Sequence, residues 1–161
     1  METHISLKDF FGGEATGFTP WLQKHPKIIQ DLLEEEYACC YKREQKVENF
    51  YIDLLFRKGN ELYVVENQYG ESDHDHLGKC ITYTSLVNAK KTIWIAEKFL
   101  DEHIKVLNSL KMELLICTAC LEKTIGNKIK LKIYKYSKNS PMKQYIYTLD
   151  NDKNIINSIK A

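Results

Sequence analysis

No apolar run in this chain approaches the roughly 18 residues that a membrane-spanning helix requires. The opening stretch, METHISLKDFFGGEATG, has neither the basic n-region nor the apolar h-region of a secretory signal. The five cysteines (Cys39, Cys40, Cys80, Cys117 and Cys120) are odd in number and lack the rhythm of a disulfide scaffold, which fits a reducing compartment. Together these absences predict a cytoplasmic protein. Cys117-Thr-Ala-Cys120 has the spacing of half a zinc knuckle, but it stands in ELLICTACLEK, which reads as a strand. There i and i+3 point to opposite faces, and no second pair lies at a useful spacing, so structural zinc is not expected. With three prolines and seven glycines, the chain has no repeats, low-complexity segments or internal linkers. No helix-turn-helix or zinc-finger module is present.

What remains is an ordinary core-forming composition. Of 161 residues, 43% are hydrophobic and 28% charged, enough for one domain spanning residues 1–161 and too little for two. Residues 1–17 read as a flexible lead-in and residues 149–161 as a polar tail or short terminal helix. The net charge of +1 conceals a division. Lys and Arg number 8 against 15 Asp and Glu in residues 1–75 (8 − 15 = −7), and 15 against 7 in residues 76–161 (15 − 7 = +8). Such halves suit a site that gathers cations on one side and phosphates on the other; chance distribution over solvated faces gives the same count.

Hydrophobic periodicity orders the elements. Thr19 reads as an N-cap with Pro20 at the first helical position, and Pro26 marks a break or a second helix start. ACCYKREQKVEN is a weak strand, and NFYIDLLFRK and ELYVVENQ are strong ones joined through Gly59-Asn60. Ser72 and Asp73 offer caps for a helix from about His74 to Val87. KTIWIA is a buried strand suited to parallel pairing. FLDEHIKVLNSLK is an amphipathic helix, MELLICTACLEK and KIKLKIYKY form a hairpin about Gly126-Asn127, and MKQYIYTL adds an edge strand. The order predicts an α/β domain: a mixed central sheet with helices on its faces.

Within it, adjacent strands place Asp53 and Glu66 on neighbouring chains among Phe, Tyr, Ile, Leu and Val. Two partly desolvated carboxylates side by side are costly unless a cation sits between them. A hard divalent ion, Mg²⁺ or Mn²⁺, meets that need; pairing with Lys or Arg, or exposure to solvent, also would.

The ordered set FTPWL (18–22), FYIDLL (50–55), ENQ (66–68), DHDHLG (73–78), TY (82–83), WIA (94–96) and EHIKVL (102–107) resembles the PD-(D/E)XK nuclease superfamily, in its small restriction-endonuclease-like branch. The likeness covers about residues 18–110, and the C-terminal hairpins match more loosely. It implies a restriction-endonuclease-like fold and a Mg²⁺-dependent endonuclease, a phosphodiester hydrolase that binds DNA. Asp53 and Glu66 would hold the metal, helped by the backbone carbonyl of Asn67, and the metal would lower the pKa of an attacking water.

The superfamily usually has lysine where this chain has Gln68, which can orient water but carries no charge. Lys79, on one helix face with Tyr83 four residues on, is the replacement to weigh against a solvated helix lysine. On that reading Gln68→Lys would be tolerated. His76 touches a phosphate or caps and packs the helix start; zinc on Asp73, His74 and His76 lacks a fourth ligand. A further acidic ligand could come from Asp31, Glu34, Glu35 or Glu36, or from Glu44. Cutting both strands of a duplex with one small domain implies a homodimer, and sequence specificity would come from a partner chain or from the dimer, or be absent. The alternative reading is a catalytically inactive module of the same fold that binds nucleic acid or a protein partner in phage defence or counter-defence.

Overall fold

The structure, a computed structural model, describes residues 3–161. Its elements are β1 (Thr3–Ile5), α1 (Leu7–Phe11), a π-helical turn (Glu14–Phe18), α2 (Thr19–Lys24), α3 (Pro26–Leu33), β2 (Cys39–Val47), β3 (Phe50–Lys58) and β4 (Glu61–Asn67). There follow α4 (His74–Val87), β5 (Lys91–Ala96), α5 (Asp101–Val106), β6 (Leu114–Lys123), β7 (Ile129–Ser137), β8 (Ser140–Leu149) and β9 (Ile155–Lys160). The strands form one sheet in the order β2-β3-β4-β5-β6-β7-β8-β9, with β1 paired to β6. β4 to β5 and β5 to β6 are parallel, as a strand returning through a helix requires, and the other pairs are antiparallel.

Period-two alternation distributes the strands' side chains between two helical layers. Val65, Ile93, Ile95, Leu115, Cys117 and Leu131 pack with Leu7, Phe11, Trp21, Leu22, Ile28 and Leu32 of α1 to α3. On the opposite face, Trp94, Ala96 and Ile116 meet Cys80 of α4 together with Phe99 and Leu107. Ile52, Leu55 and Val64 meet Tyr83 of the same helix. Central strands covered on both faces read as continuous apolar runs, which is why KTIWIA looked buried. Lysines close the end of α3. Lys135, 3% exposed, donates to the Leu32 carbonyl at 2.8 Å, and Lys91 donates to that of Leu33 at 2.9 Å. Cations there satisfy orphan carbonyls and complement the helix dipole.

Four expectations need correction. The N-terminal residues 3–18 are structured rather than flexible, because Leu7, Phe11 and Phe18 belong to the main core. The tail is a strand: residues 155–160 add β9 to β8, which makes β8 an interior strand, and an edge strand can be polar on its open side. The helix in FLDEHIKVLNSLK is confined to Asp101–Val106, since Ser109 N bonds Val106 O in a tighter turn that ends it. Thr19 is already helical, and its hydroxyl accepts from Asn67 Nδ2 at 2.9 Å instead of capping α2.

Candidate active site

The register Leu54↔Val65 places Asp53 directly opposite Glu66. Residues opposite one another in an antiparallel pair share a face, and the face here is the one covered by α4. Asp53 Oδ2 accepts from the Asn67 backbone N–H at 2.8 Å, which locks the carboxylate to the end of β4. Glu66 is 3% exposed, and its Oε1 has no hydrogen-bond partner. Burial first, then the Asp53 charge and a hydrogen bond with Asp53, push its carboxyl up to about 11, while Lys79 pulls the other way. A carboxylic acid so placed holds a proton at neutral pH unless a cation displaces it.

Two more acids flank this pair. Glu14 comes from the π-helical turn before FTPWL, a segment that sequence reasoning left out of the site. Its Oε2 accepts from Tyr69 N at 2.8 Å, and Tyr69 Oη donates in turn to the Gly12 carbonyl at 2.8 Å, so the loop after β4 and the N-terminal segment hold each other. Gly17 makes the turn possible, because a Cβ there would collide with the Phe11 carbonyl oxygen. Single π turns are frequent at functional sites, but no apolar period announces one. Burial, then the charge of Asp53, raise Glu14 above the usual carboxylate range, the Tyr69 N–H opposing. Glu44 faces Asp53 across β2 and β3, between the pairs Arg43↔Leu54 and Gln45↔Ile52, with φ at 51°. Burial and the same Asp53 charge raise it too. A left-handed non-glycine residue inside a strand is strained, of order 1–3 kcal/mol, and such strain collects at functional sites.

α4 supplies the basic side. Lys79 lies close enough to act on both Glu66 and Glu14, and its ammonium is 3.4 Å from Asp75. Tyr83 is buried, and burial followed by the Glu66 charge pushes its phenol up to about 12. Asp73 is the N-cap: its Oδ1 accepts from the His76 backbone N–H at 2.7 Å and pairs with His76 Nδ1 at 2.8 Å. Partial burial would raise it, but the bonds from His76 hold it below its usual value. His76 thus orders the helix start. His74 Nδ1 meets His103 Nε2 at 2.8 Å, and His103 Nδ1 meets Ser72 Oγ at 2.6 Å.

Gln68 is 5% exposed and its amide is fully engaged. Nε2 donates to the Glu71 carbonyl at 2.7 Å and to Asp73 Oδ2 at 2.8 Å, and Oε1 accepts from Trp94 Nε1 at 3.0 Å. It ties β4, β5 and the α4 cap together. A lysine there could not accept from Trp94, so the tolerance expected of Gln68→Lys gives way to an expected loss of stability.

The acids of the first long helix lie elsewhere. Glu35 pairs with Lys58 at 2.9 Å, Glu34 with Lys143 at 2.5 Å, and Asp31 with Lys160 at 2.8 Å and Tyr147 Oη at 2.7 Å. Lys58 is five residues along β3 from Asp53, or about 17 Å of strand. Glu36 lines the same hollow as Glu35.

The donor set around Asp53 and Glu66 is carboxylate only, with one buried oxygen left unpartnered, and that chemistry fits a hard divalent cation. Among the described residues, the set of three ligand groups with atoms within 4.8 Å of one another is Asp73, Asp75 and His76. Those groups are already engaged with Gln68, Lys79 and each other, and need no ion.

No family model and no curated protein matches the chain. Among solved structures it is similar to a repair endonuclease from Pyrococcus abyssi, with a TM-score of 0.50 and 16% identity over 60% of this chain and 43% of that one. It is also similar to SfsA from Pyrococcus furiosus, solved in complex with Ca²⁺, with a TM-score of 0.42 and 17% identity over 71% of this chain and 62% of that one. The chain thus spans less than two thirds of each neighbour's length. The fold is the restriction-endonuclease-like one: a central, mostly antiparallel sheet between helical layers. Among the described residues no helix is long and apolar enough to cross a membrane.

Proposed function

We propose that the protein is a divalent-metal-dependent nuclease that hydrolyses phosphodiester bonds in DNA. The observation that carries this reading is Glu66, a buried carboxyl with an unpartnered oxygen, set opposite Asp53 and left without a paired cation. Asp53 and Glu66 would hold Mg²⁺ or Mn²⁺, with the Asn67 carbonyl beside them and Glu14 and Glu44 at the margin. The ion would supply charge to polarise a phosphate and acidify a bound water. Lys79 offers the positive charge that a phosphate gaining negative charge needs, and it reaches the acids from the helix face that also carries Tyr83. Gln68 serves as scaffold, so the lysine role falls to Lys79. A repair endonuclease among the structural neighbours agrees with DNA as substrate.

One observation favours the rival, a non-catalytic nucleic-acid- or protein-binding module: the position that usually bears lysine holds a neutral amide buried in structural hydrogen bonds. Incubating the protein with plasmid, single-stranded DNA and RNA, with Mg²⁺ or Mn²⁺ against EDTA, separates the two. Metal-dependent cleavage abolished by Asp53→Asn is expected; binding without cleavage under every metal establishes the rival.

A further inference from the structure

We propose that the hollow beside Lys79 receives a single unpaired nucleobase, so that the strand being cut is single-stranded at the site. This rests on the nuclease reading and adds the form of its substrate. The hollow measures about 280 Å³ and is lined by Phe50, Gly78, Thr82 and Tyr83, with His74, Asp75 and Lys79 at its polar side. That is just below the roughly 300–1,000 Å³ of pockets for drug-sized ligands, hence room for one heterocycle rather than a base pair.

Its walls suit a flat aromatic guest. Phe50 is 46% exposed at the start of β3, with its ring centroid 5.9 Å from that of Tyr83. An exposed phenylalanine backed by a buried tyrosine is a stacking platform, the means by which proteins hold bases of single strands. Gly78 leaves the α4 side of the hollow open. This glycine stands inside α4, where glycine weakens a helix, yet its φ is not positive and a Cβ would meet nothing within 4 Å. Neither backbone nor packing asks for glycine there; an incoming ring does. The Lys79 ammonium stands on the same rim, 3.4 Å from the exposed Asp75 carboxylate, and an adjoining phosphate would compete with Asp75 for it. Lys79 acts electrostatically on Glu66, and Glu66 acts on Tyr83, so a base in this hollow lies next to the acids. A duplex base is already stacked on both sides and could enter only after unpairing.

Gly78→Leu fills the hollow with a better helix former. Binding of labelled single-stranded DNA, the matching duplex and single-stranded RNA would be followed by fluorescence anisotropy, in EDTA and again with Ca²⁺. Wild type should prefer a single strand. Gly78→Leu should keep or raise the melting temperature while weakening single-strand binding about 5- to 150-fold, the scale of one lost base stack. Phe50→Ala should act likewise, and Phe50→Trp should restore binding. RNA binding as tightly as DNA supports the same pocket and shows that it does not read the sugar. If single strand and duplex bind alike, or Gly78→Leu binds single strands like wild type, the inference fails. Cleavage is scored apart: a pocket-dependent binder that never cuts keeps this inference and loses the nuclease reading, and the reverse result does the opposite.

Discussion

The chain carries two clusters of carboxylates, and they are neutralised in opposite ways. At the end of α3, Asp31, Glu34 and Glu35 each meet at least one lysine, drawn from β3, β8, β9 and the turn before β5. At the other end of the β3–β4 ladder, Asp53 and Glu66 face each other with Glu14 and Glu44 alongside, and positive charge reaches them from Lys79 on α4 and Arg43 on β2. Three adjacent glutamates look like the richer acidic site in sequence, yet the charges of Glu34 and Glu35 are already answered by lysines. The sparser set is the one with charge left over, and unanswered charge is what binds an ion.

The largest expected effects test that contrast. Asp53→Asn and Glu66→Gln should each lower metal-dependent cleavage by about 10³-fold, the equivalent of about 4 kcal/mol of lost transition-state stabilisation. Asp31→Asn, Glu34→Gln and Glu35→Gln should cut like wild type in the same assay. Cleavage surviving at Asp53→Asn but lost at Glu35→Gln would invert the comparison. Next in size, Lys79→Ala should lower turnover about 10²–10³-fold, the scale of one electrostatic donor, with melting nearly unchanged.

Gln68→Ala should behave in the contrary sense. It leaves the buried Trp94 N–H without an acceptor and loosens the α4 cap, costing about 1–3 kcal/mol in a denaturant titration. If Gln68→Ala melts like wild type but no longer cuts, glutamine belongs to the chemistry and not to the scaffold.

The acidic pair should also show itself in metal-free protein as a pH dependence of stability. The folded Glu66 carboxyl sits at about 11 against an ordinary 4.5, so across that window the folded state holds a proton that the unfolded chain releases. Stability is therefore greatest below about pH 4.5 for this group and falls as pH rises towards 11. Melting in EDTA should decline between about pH 5 and 9, Glu66→Gln should flatten the decline, and Mg²⁺ should reverse it by displacing the proton. A flat wild-type profile would mean that Glu66 is already paired. The smallest effect belongs to the lysine-paired cluster: Glu35→Gln should cost no more than about 1 kcal/mol, because exposed ion pairs contribute little.

Strands β2 to β8, the Asp73 cap of α4 and the placing of Asp53 across from Glu66 were legible in the residues. Period-two apolar runs, Gly-Asn corners and Asp73 ahead of a helix are local rules, and a hairpin joined through Gly59-Asn60 leaves little freedom in which residue of β3 faces Glu66. Local rules end where partners come from far along the chain. Glu14 enters the site through a π turn that has no periodic signature, held by a hydrogen bond from Tyr69, 55 residues away. Asp31, Glu34 and Glu35 leave it because lysines on later strands reach the end of α3, and β9 exists because β8 offers an unpaired edge. The role of Gln68 turned on Trp94 and Asp73 both lying within hydrogen-bond reach of one amide, which only the assembled sheet and helix decide. Sequence determines which charges the chain carries and what local shape each segment prefers; the long-range packing of sheet on helix decides which of those charges are neutralised, and thereby where the site is.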